Sequence, residues 1–491
     1  MKRLITAIAI ALTAVSASAQ VSHALYFMES VPQTTLLNPA RQPRATLYIA
    51  IPATNIYLGE HTNLYPLDFF QKKDGEWLTP LNDGFDYSNL YDQYKKRLAV
   101  DVNATVGLIG FGWRTSEGNY LSFNLNERIS ADVALPYDFL KIGDKGLPKG
   151  TMLDLAKLGV NAMAYTELAA SYSRIIDDQW TIGVRLKLLA GTGAVKTKNS
   201  DFSILTGEDK WHVKTDIEVM TALPLETDGC LKEDGTVEFD SIDVRDFDET
   251  KDLVKYLIPR LQNPGGAVDL GVVYKLNDNF RFSGSITDLG LISWGRDVNN
   301  FKSQGEFDFE GIRYNLDSDE HKDDFQNAID DAVDSLISDC NATLNHKRFT
   351  MGLRPSIYLA AEYTPVYFLN VGFLSHTKFL ASKRVNQDFG VSATLNPYKL
   401  PASLTIGYNI NTMGQSTASA GFSVRFGVLQ FYTVLDYLPA KYNVYHTVDD
   451  DEYPVPNNIS GLNVSVGLNL VFGSKGWKDR PMMRSNSRIA E

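Results

Sequence analysis

Residues 461–472 read GLNVSVGLNLVF: Leu462, Val464, Val466, Leu468, Leu470 and Phe472 alternate with Asn463, Ser465, Gly467 and Asn469. Successive side chains of a β-strand point to opposite faces, so this run has one aliphatic face and one face of small polar groups. Its length matches the roughly 9–11 residues that a tilted strand needs to cross a bilayer. The pattern recurs along the chain. Val102, Ala104, Val106 and Leu108 alternate with Asp101, Asn103, Thr105 and Gly107; Ile182, Val184, Leu186 and Leu188 with Gly183, Arg185 and Lys187; Leu404, Ile406, Tyr408 and Ile410 with Ser403, Thr405, Gly407 and Asn409. Arginine and lysine on the polar face fit a watery interior better than a packed core, where unpaired charge is costly.

The connections come in two sizes, as an outer-membrane barrel requires. Tight turns read at Ser116–Asn119, Asp177–Gln179, Asn277–Asn279, Thr364-Pro365 and Asn396–Pro401, all rich in Gly, Pro, Asn, Asp or Thr. Trp113, Tyr120, Trp180, Phe280, Tyr363, Tyr367 and Tyr398 flank them, in the manner of an interfacial aromatic girdle. Long inserts run over about 59–98, 136–160, 223–266, 312–347 and 439–460, and two carry helical periodicity: Val254, Leu257, Ile258, Leu261, and Phe325, Ile329, Val333, Leu336, Ile337. The expected fold is all-β: a transmembrane antiparallel barrel of about 14–16 strands with long, partly helical loops. The count does not close, because 192–223 and 289–311 cannot both be simple up-and-down pairs.

Met1–Ala19 has the basic start, apolar run and Ala17-Ser18-Ala19 site of a cleaved secretory signal, with no cysteine following to take a lipid. No later window reaches 18 consecutive apolar residues, so no transmembrane helix is expected. The chain of 491 residues carries a formal charge of −12, or −14 once Lys2 and Arg3 are removed (−12 − 2), which argues against a nucleic-acid partner. Cys230 and Cys340 are the two cysteines; an oxidising compartment permits a disulfide between them, and the sequence leaves the pairing open. Asp449–Glu452 and Asp317–Asp324 are acid-rich and lack EF-hand spacing; they read as solvated loops facing lipopolysaccharide. No nucleophile motif, phosphate loop or metal-like histidine spacing is present, so neither an enzyme nor a cofactor or metal site is expected.

Before the first strand, expected at Ala45–Ile51, lies 26–43, which contains Phe27-Met28-Glu29-Ser30-Val31-Pro32-Gln33-Thr34-Thr35-Leu36-Leu37-Asn38-Pro39-Ala40. This opening resembles the FadL-like outer-membrane proteins, whose N-terminal segment carries Asn-Pro-Ala and folds into the barrel as a plug. It resembles more closely a group of uncharacterised Bacteroidota outer-membrane barrels, and is similar at the same place to the secretion-associated barrels PorV and PorP. The resemblance implies a plug holding Asn38, Pro39 and Ala40, within a division into signal (1–19), plug segment (20–44), barrel (45–473) and basic periplasmic tail (474–491). FadL-like proteins move hydrophobic small molecules, so it implies a passive transporter in the outer membrane of a Gram-negative bacterium. The PorV and PorP likeness implies instead an accessory or docking barrel with secretion-system partners. A soluble exported β-protein is the third reading.

Overall fold

The computed structural model describes residues 22–62, 68, 71–73, 76–78, 84–88, 90–91, 98–115, 118–138, 149–156, 158–208, 210–245, 263–309, 341–380, 385–396, 401–412, 416–439, 442–446, 452–456 and 461–473. The signal, the basic tail, Cys340, both helical inserts and the acidic runs 317–324 and 449–451 lie outside them.

Fourteen antiparallel strands close into one barrel. In chain order they are β1 (Leu47–Ala50, resuming as Asn55–Thr62), β2 (Leu98–Arg114), β3 (Asn119–Leu135), β4 (Gly159–Ile175), β5 (Trp180–Leu205), β6 (Pro264–Lys275) and β7 (Phe280–Trp294). The other half is β8 (Ser356–Val366, extended by Phe349–Gly352), β9 (Leu369–Phe379), β10 (Val385–Leu395), β11 (Ala402–Asn411), β12 (Ser416–Phe426), β13 (Leu429–Pro439) and β14 (Gly461–Phe472). β14 pairs with β1, Leu47 opposite Phe472, so the ring has no bare edge to leave unpaired in lipid.

The alternation has the expected sense. Asn463, Ser465 and Asn469 of β14 are buried inside the ring, whereas Leu462 and Phe472 are exposed outside it. Leu188 of β5 is 65% exposed, and Leu186, Ile182, Leu359 and Ile406 likewise face outward. A belt of this extent has no stable place in water. It suits acyl chains, and it removes the soluble reading, in which the aliphatic rows would meet in a dry interior.

Six short links join β2–β3, β4–β5, β6–β7, β8–β9, β10–β11 and β12–β13 at one end, where the barrel also begins and finishes. The strand count closes because Trp211–Ala222 and Val298–Phe309 are not wall strands. β5 runs for 26 residues and overshoots the rim. Its far half pairs with Trp211–Ala222, which pairs with Val298–Phe309, making a sheet beyond the long-loop end.

Three local expectations need correction. Pro365 lies inside β8 at a register shift between Tyr363 and Val366, and the turn falls two residues later, at Tyr367-Phe368. A bulge accepts a residue that has no N–H to donate. Tyr120 is buried on the inner face with Ser122, beneath the Arg114 guanidinium, whereas Trp180, Phe280, Tyr363 and Tyr367 do form an exposed aromatic rim. Leu108 sits in a bulge that resets the facing of the next residues of β2, leaving Ile109 and Phe111 outside.

Candidate functional site

The lumen is filled by 22–44. A short helix, α1 (His23–Phe27), is capped by the Ser22 hydroxyl, which accepts from Leu25 N–H at 3.0 Å, and a 3-10 turn comes next over Pro32–Leu36. Leu25, Tyr26, Phe27, Met28, Val31 and Leu37 pack with Tyr358, Leu374, Tyr432 and Val434 of the wall. Large apolar side chains buried this way contribute about 1.5–3 kcal/mol each relative to exposure.

Asn38, Pro39 and Ala40 form the seat of this plug. Asn38 Oδ1 accepts Ala40 N–H at 2.9 Å, a local turn of the kind Asn favours. Its Nδ2 donates to the Tyr26 hydroxyl (3.1 Å) and to the Gly284 carbonyl (3.2 Å). The motif rests on two glycines facing each other across β5 and β6, Gly183 and Gly271. At either one a Cβ would collide with the Asn-Pro-Ala backbone or the Asn38 side chain, so the notch exists because both residues lack one.

A charge clamp lies next to the seat. Arg41 grips Glu362 of β8 with both terminal nitrogens, at 2.5 and 3.3 Å, and Arg281 of β7 bridges Glu362 and Glu29, each at 2.5 Å. Arg41 also covers the Tyr26 ring, 4.7 Å from its centre. Two plug charges are thus matched to two wall charges out of water, where bidentate geometry is what makes such a pair net favourable.

Gln33 ties the 3-10 turn to the opposite wall. Its Nε2 donates to Asn55 Oδ1 (2.9 Å) and Asn469 Oδ1 (2.8 Å), and Asn469 Nδ2 donates back to Gln33 Oε1 at 3.0 Å. Asn55 stands where β1 resumes after a break. Ala50 pairs with Asn469 but Ile56 with Val466, so six residues of β1 oppose three of β14, and the excess bulges outward at Pro52-Ala53. Ala53 takes φ 57° there. Behind the break lies a cavity with a water-accessible volume of about 50 Å³. Plug residues Leu25, Leu36 and Leu37 line its inner side, and its margin reaches Ile56 and the outward-facing Ile109.

At the tip of the plug the His23 ring meets His376 edge-on at 6.2 Å and Tyr437 at 6.1 Å, and neither of its nitrogens has a hydrogen-bond partner among the described residues. His23 belongs to the plug rather than to a spanning strand. Burial lowers its pKa to about 4, with Asp388 opposing that fall and His376 adding to it.

Residues 39–436 match a family described as "Family of unknown function (DUF5723)". The chain belongs to that family. Among solved structures, this DUF5723 chain is similar to TbuX, the toluene transporter of Ralstonia pickettii, at 8% identity and TM-score 0.41, with 94% of this chain and 99% of that one covered. It is similar to a FadL homologue of Pseudomonas aeruginosa at 11% identity and TM-score 0.38, covering 94% and 98%. It is also similar to TodX, the toluene transporter of Pseudomonas putida, at 8% identity and TM-score 0.36, covering 89% and 93%. No curated protein matches it.

In this DUF5723 chain the three motif residues lie together in the lumen. Cys230 is buried in a small apolar cluster at the long-loop end with Val237, Ile242 and Ala342. The inward Arg185 and Lys187 do not face bulk water as expected. Lys187 lies 2.6 Å from Asp288 and 2.8 Å from Asp269, and Arg185 3.8 Å from Asp269, because carboxylates of neighbouring strands project into the same filled space. Gln33, Arg41, Asn55, Arg281 and Glu362 are not singled out by sequence reasoning. For Asn55, Arg281 and Glu362 the signal is charge or amide on the inner parity of a strand, which marks a lumen position but not its partner; Gln33 and Arg41 lie in the plug segment, where no such parity applies.

Proposed function

We propose that the chain is an outer-membrane channel of a Gram-negative bacterium that passes small apolar molecules between its lumen and the surrounding lipid, by a passive route past the plug. The observation that carries this reading is the cavity behind the β1 break. It has leucines on its plug side, and its margin extends to outward-facing aliphatic residues, where the β1–β14 pairing breaks between Ala50 and Ile56. An apolar solute loses little on leaving acyl chains for such a space, whereas a hydrated solute must shed its water. The lipid belt and the lipopolysaccharide at the long-loop end are the partners this placement implies.

The test is uptake of a small apolar fluorophore into liposomes holding the purified protein. Uptake above empty liposomes is expected, and Ala50→Phe, which fills the cavity from the wall, is expected to reduce it. No excess over empty liposomes would refute the reading. A second reading, a docking barrel for secretion or surface assembly, is favoured by one feature: the sheet of β5, Trp211–Ala222 and Val298–Phe309 that stands beyond the rim as a ready platform. That reading expects stoichiometric co-purification with a large partner and no uptake.

A further inference from the structure

The long-loop end of the lumen carries a second set of paired charges, built from wall residues and not from the plug. Asp101 of β2 and Asp132 of β3 stand directly opposite each other in register, 1% and 0% exposed. Two carboxylates so placed repel, and cations close to the pair offset that repulsion. The cations come from the far wall. Lys378, near the end of β9, puts its Nζ 2.7 Å from Asp101 Oδ1, and Arg354, on the approach to β8, pairs with Asp101 Oδ2 through Nη1. Arg354 also donates to the carbonyls of Ala131 on β3 (3.3 Å) and Asn161 on β4 (3.0 Å).

In a ring of fourteen strands, β2 and β9 are seven strands apart whichever way one counts, so the Asp101–Lys378 pair crosses the lumen rather than stitching neighbours. Every member sits near the long-loop end of its strand. Beneath lies a polar pocket of about 20 Å³, lined by Arg128, Ser356, Tyr358, Arg354 and Lys378, with Leu36 of the plug as its floor. Two anions against two cations leave the set neutral. It therefore offers no net field to draw an ion in, and it exposes no charge for a passing solute to exploit.

We propose that Asp101, Asp132, Arg354 and Lys378 form a charge-paired crossbar that shuts the long-loop mouth independently of the plug, so that water-borne hydrated solutes are refused even when the plug is loose. This goes beyond the transport reading, and its test uses no apolar substrate, so the two fail separately. The experiment uses the full chain in detergent with Cys230 and Cys340 changed to Ser and one reporter, Ser356→Cys, placed in the pocket below the crossbar. The probe is iodoacetamide, which is small, polar and uncharged.

The reporter is expected to react slowly in this background and at least tenfold faster when the crossbar is neutralised as D101N/D132N/R354Q/K378Q, a change that leaves the lumen's net charge unaltered. In a Gln33→Ala background, where the plug turn that floors the pocket is freed, neutralising the crossbar is again expected to speed the reaction. Equal rates with and without the crossbar, whether the plug turn is held by Gln33 or freed, overturn the proposal. Resistance of the folded barrel to detergent without heating reports folding of each variant. If the fourfold variant does not fold, Lys378→Met, which leaves Arg354 on Asp101, carries the test with an expected rise of about threefold, and no rise overturns it.

Discussion

Adding one methyl group at Gly271 should unseat the plug while leaving the barrel wall intact. A Cβ built there lies 2.9 Å from Pro39 Cδ, 3.0 Å from Ala40 N and nearer still to Asn38 Oδ1. Carbon atoms in contact prefer about 3.5–4.0 Å, so Pro39 must retreat by roughly 0.6–1 Å, and Asn38 by more. That retreat strains the hydrogen bonds from Asn38 to Tyr26 and the Gly284 carbonyl, which have no slack because both acceptors belong to packed elements. Overpacking of this size costs about 1–3 kcal/mol, which is roughly a fivefold to hundredfold rise in the undocked plug population at 1.4 kcal/mol per tenfold. Gly183→Ala should act the same way from the other side of the notch, because its methyl would meet the Pro39 carbonyl and the Ala40 nitrogen. Gly266→Ala, on the same strand as Gly271 but with 3.8 Å of clearance to the Lys187 carbonyl, is the matched control. Hydrogen exchange of the amides of Leu37, Asn38, Ala40 and Arg41 reads the outcome. Faster exchange in the two notch variants, wild-type exchange in the control and unchanged protection of β5 and β6 are expected. If both notch variants protect the plug as the wild type does, the seat is not where the plug is held.

Removing the acidic partner of the clamp has a larger expected effect. Glu362→Ala leaves Arg41 and Arg281 buried beside Glu29 alone, and breaking a buried pair of this kind costs about 3–5 kcal/mol. A lower thermal midpoint than in the wild type is expected, with Glu362→Gln intermediate; an unchanged midpoint in Glu362→Ala contradicts the clamp. Acid should loosen the tip of the plug. Because His23 is held neutral down to about pH 4 when docked but titrates near 6.5 when released, the docked state is fully favoured above 6.5 and loses up to about 3 kcal/mol as pH falls toward 4. His23→Phe, exposed to the same pH series beside Asp388, His376, Tyr437 and Asp436, should lose the His23 component of that dependence. Exchange of the 23–28 amides measured across the series checks it, and identical profiles for the two proteins would remove His23 as the cause.

Much of the wall is legible from local pattern. β14 and β11 alternate without interruption, and the aliphatic face of each is the outward one. The links at 115–118, 176–179 and 276–279 are legible from their turn residues. Pattern fails where an irregularity resets the period: at Leu108, where a bulge moves Ile109 to the outside, and at Pro365, which marks a bulge rather than a turn. It also fails for Trp211–Ala222 and Val298–Phe309, which carry ordinary strand writing. Nothing in such a pattern says whether a strand stands in the ring or above it. At the site, the Asn-Pro-Ala segment stands out in the sequence, whereas its clamp and notch do not.

The division comes from the range of the forces. Alternation, caps and turns depend on residues a few positions apart, so the sequence by itself determined that this chain makes tilted two-faced strands, while the plug ahead of them was implied only by the resemblance of its Asn-Pro-Ala opening. The partners of Asp101, Glu362, Gly271 and Gln33 are tens to hundreds of residues away and meet them only when the ring closes. Lys378 and Asp101 are 277 positions apart and touch because a barrel brings opposite walls to one centre. Closure, plugging and the crossing of the lumen by paired charge were decided by the tertiary structure, because each buried charge is tolerable only beside a partner that the chain delivers last.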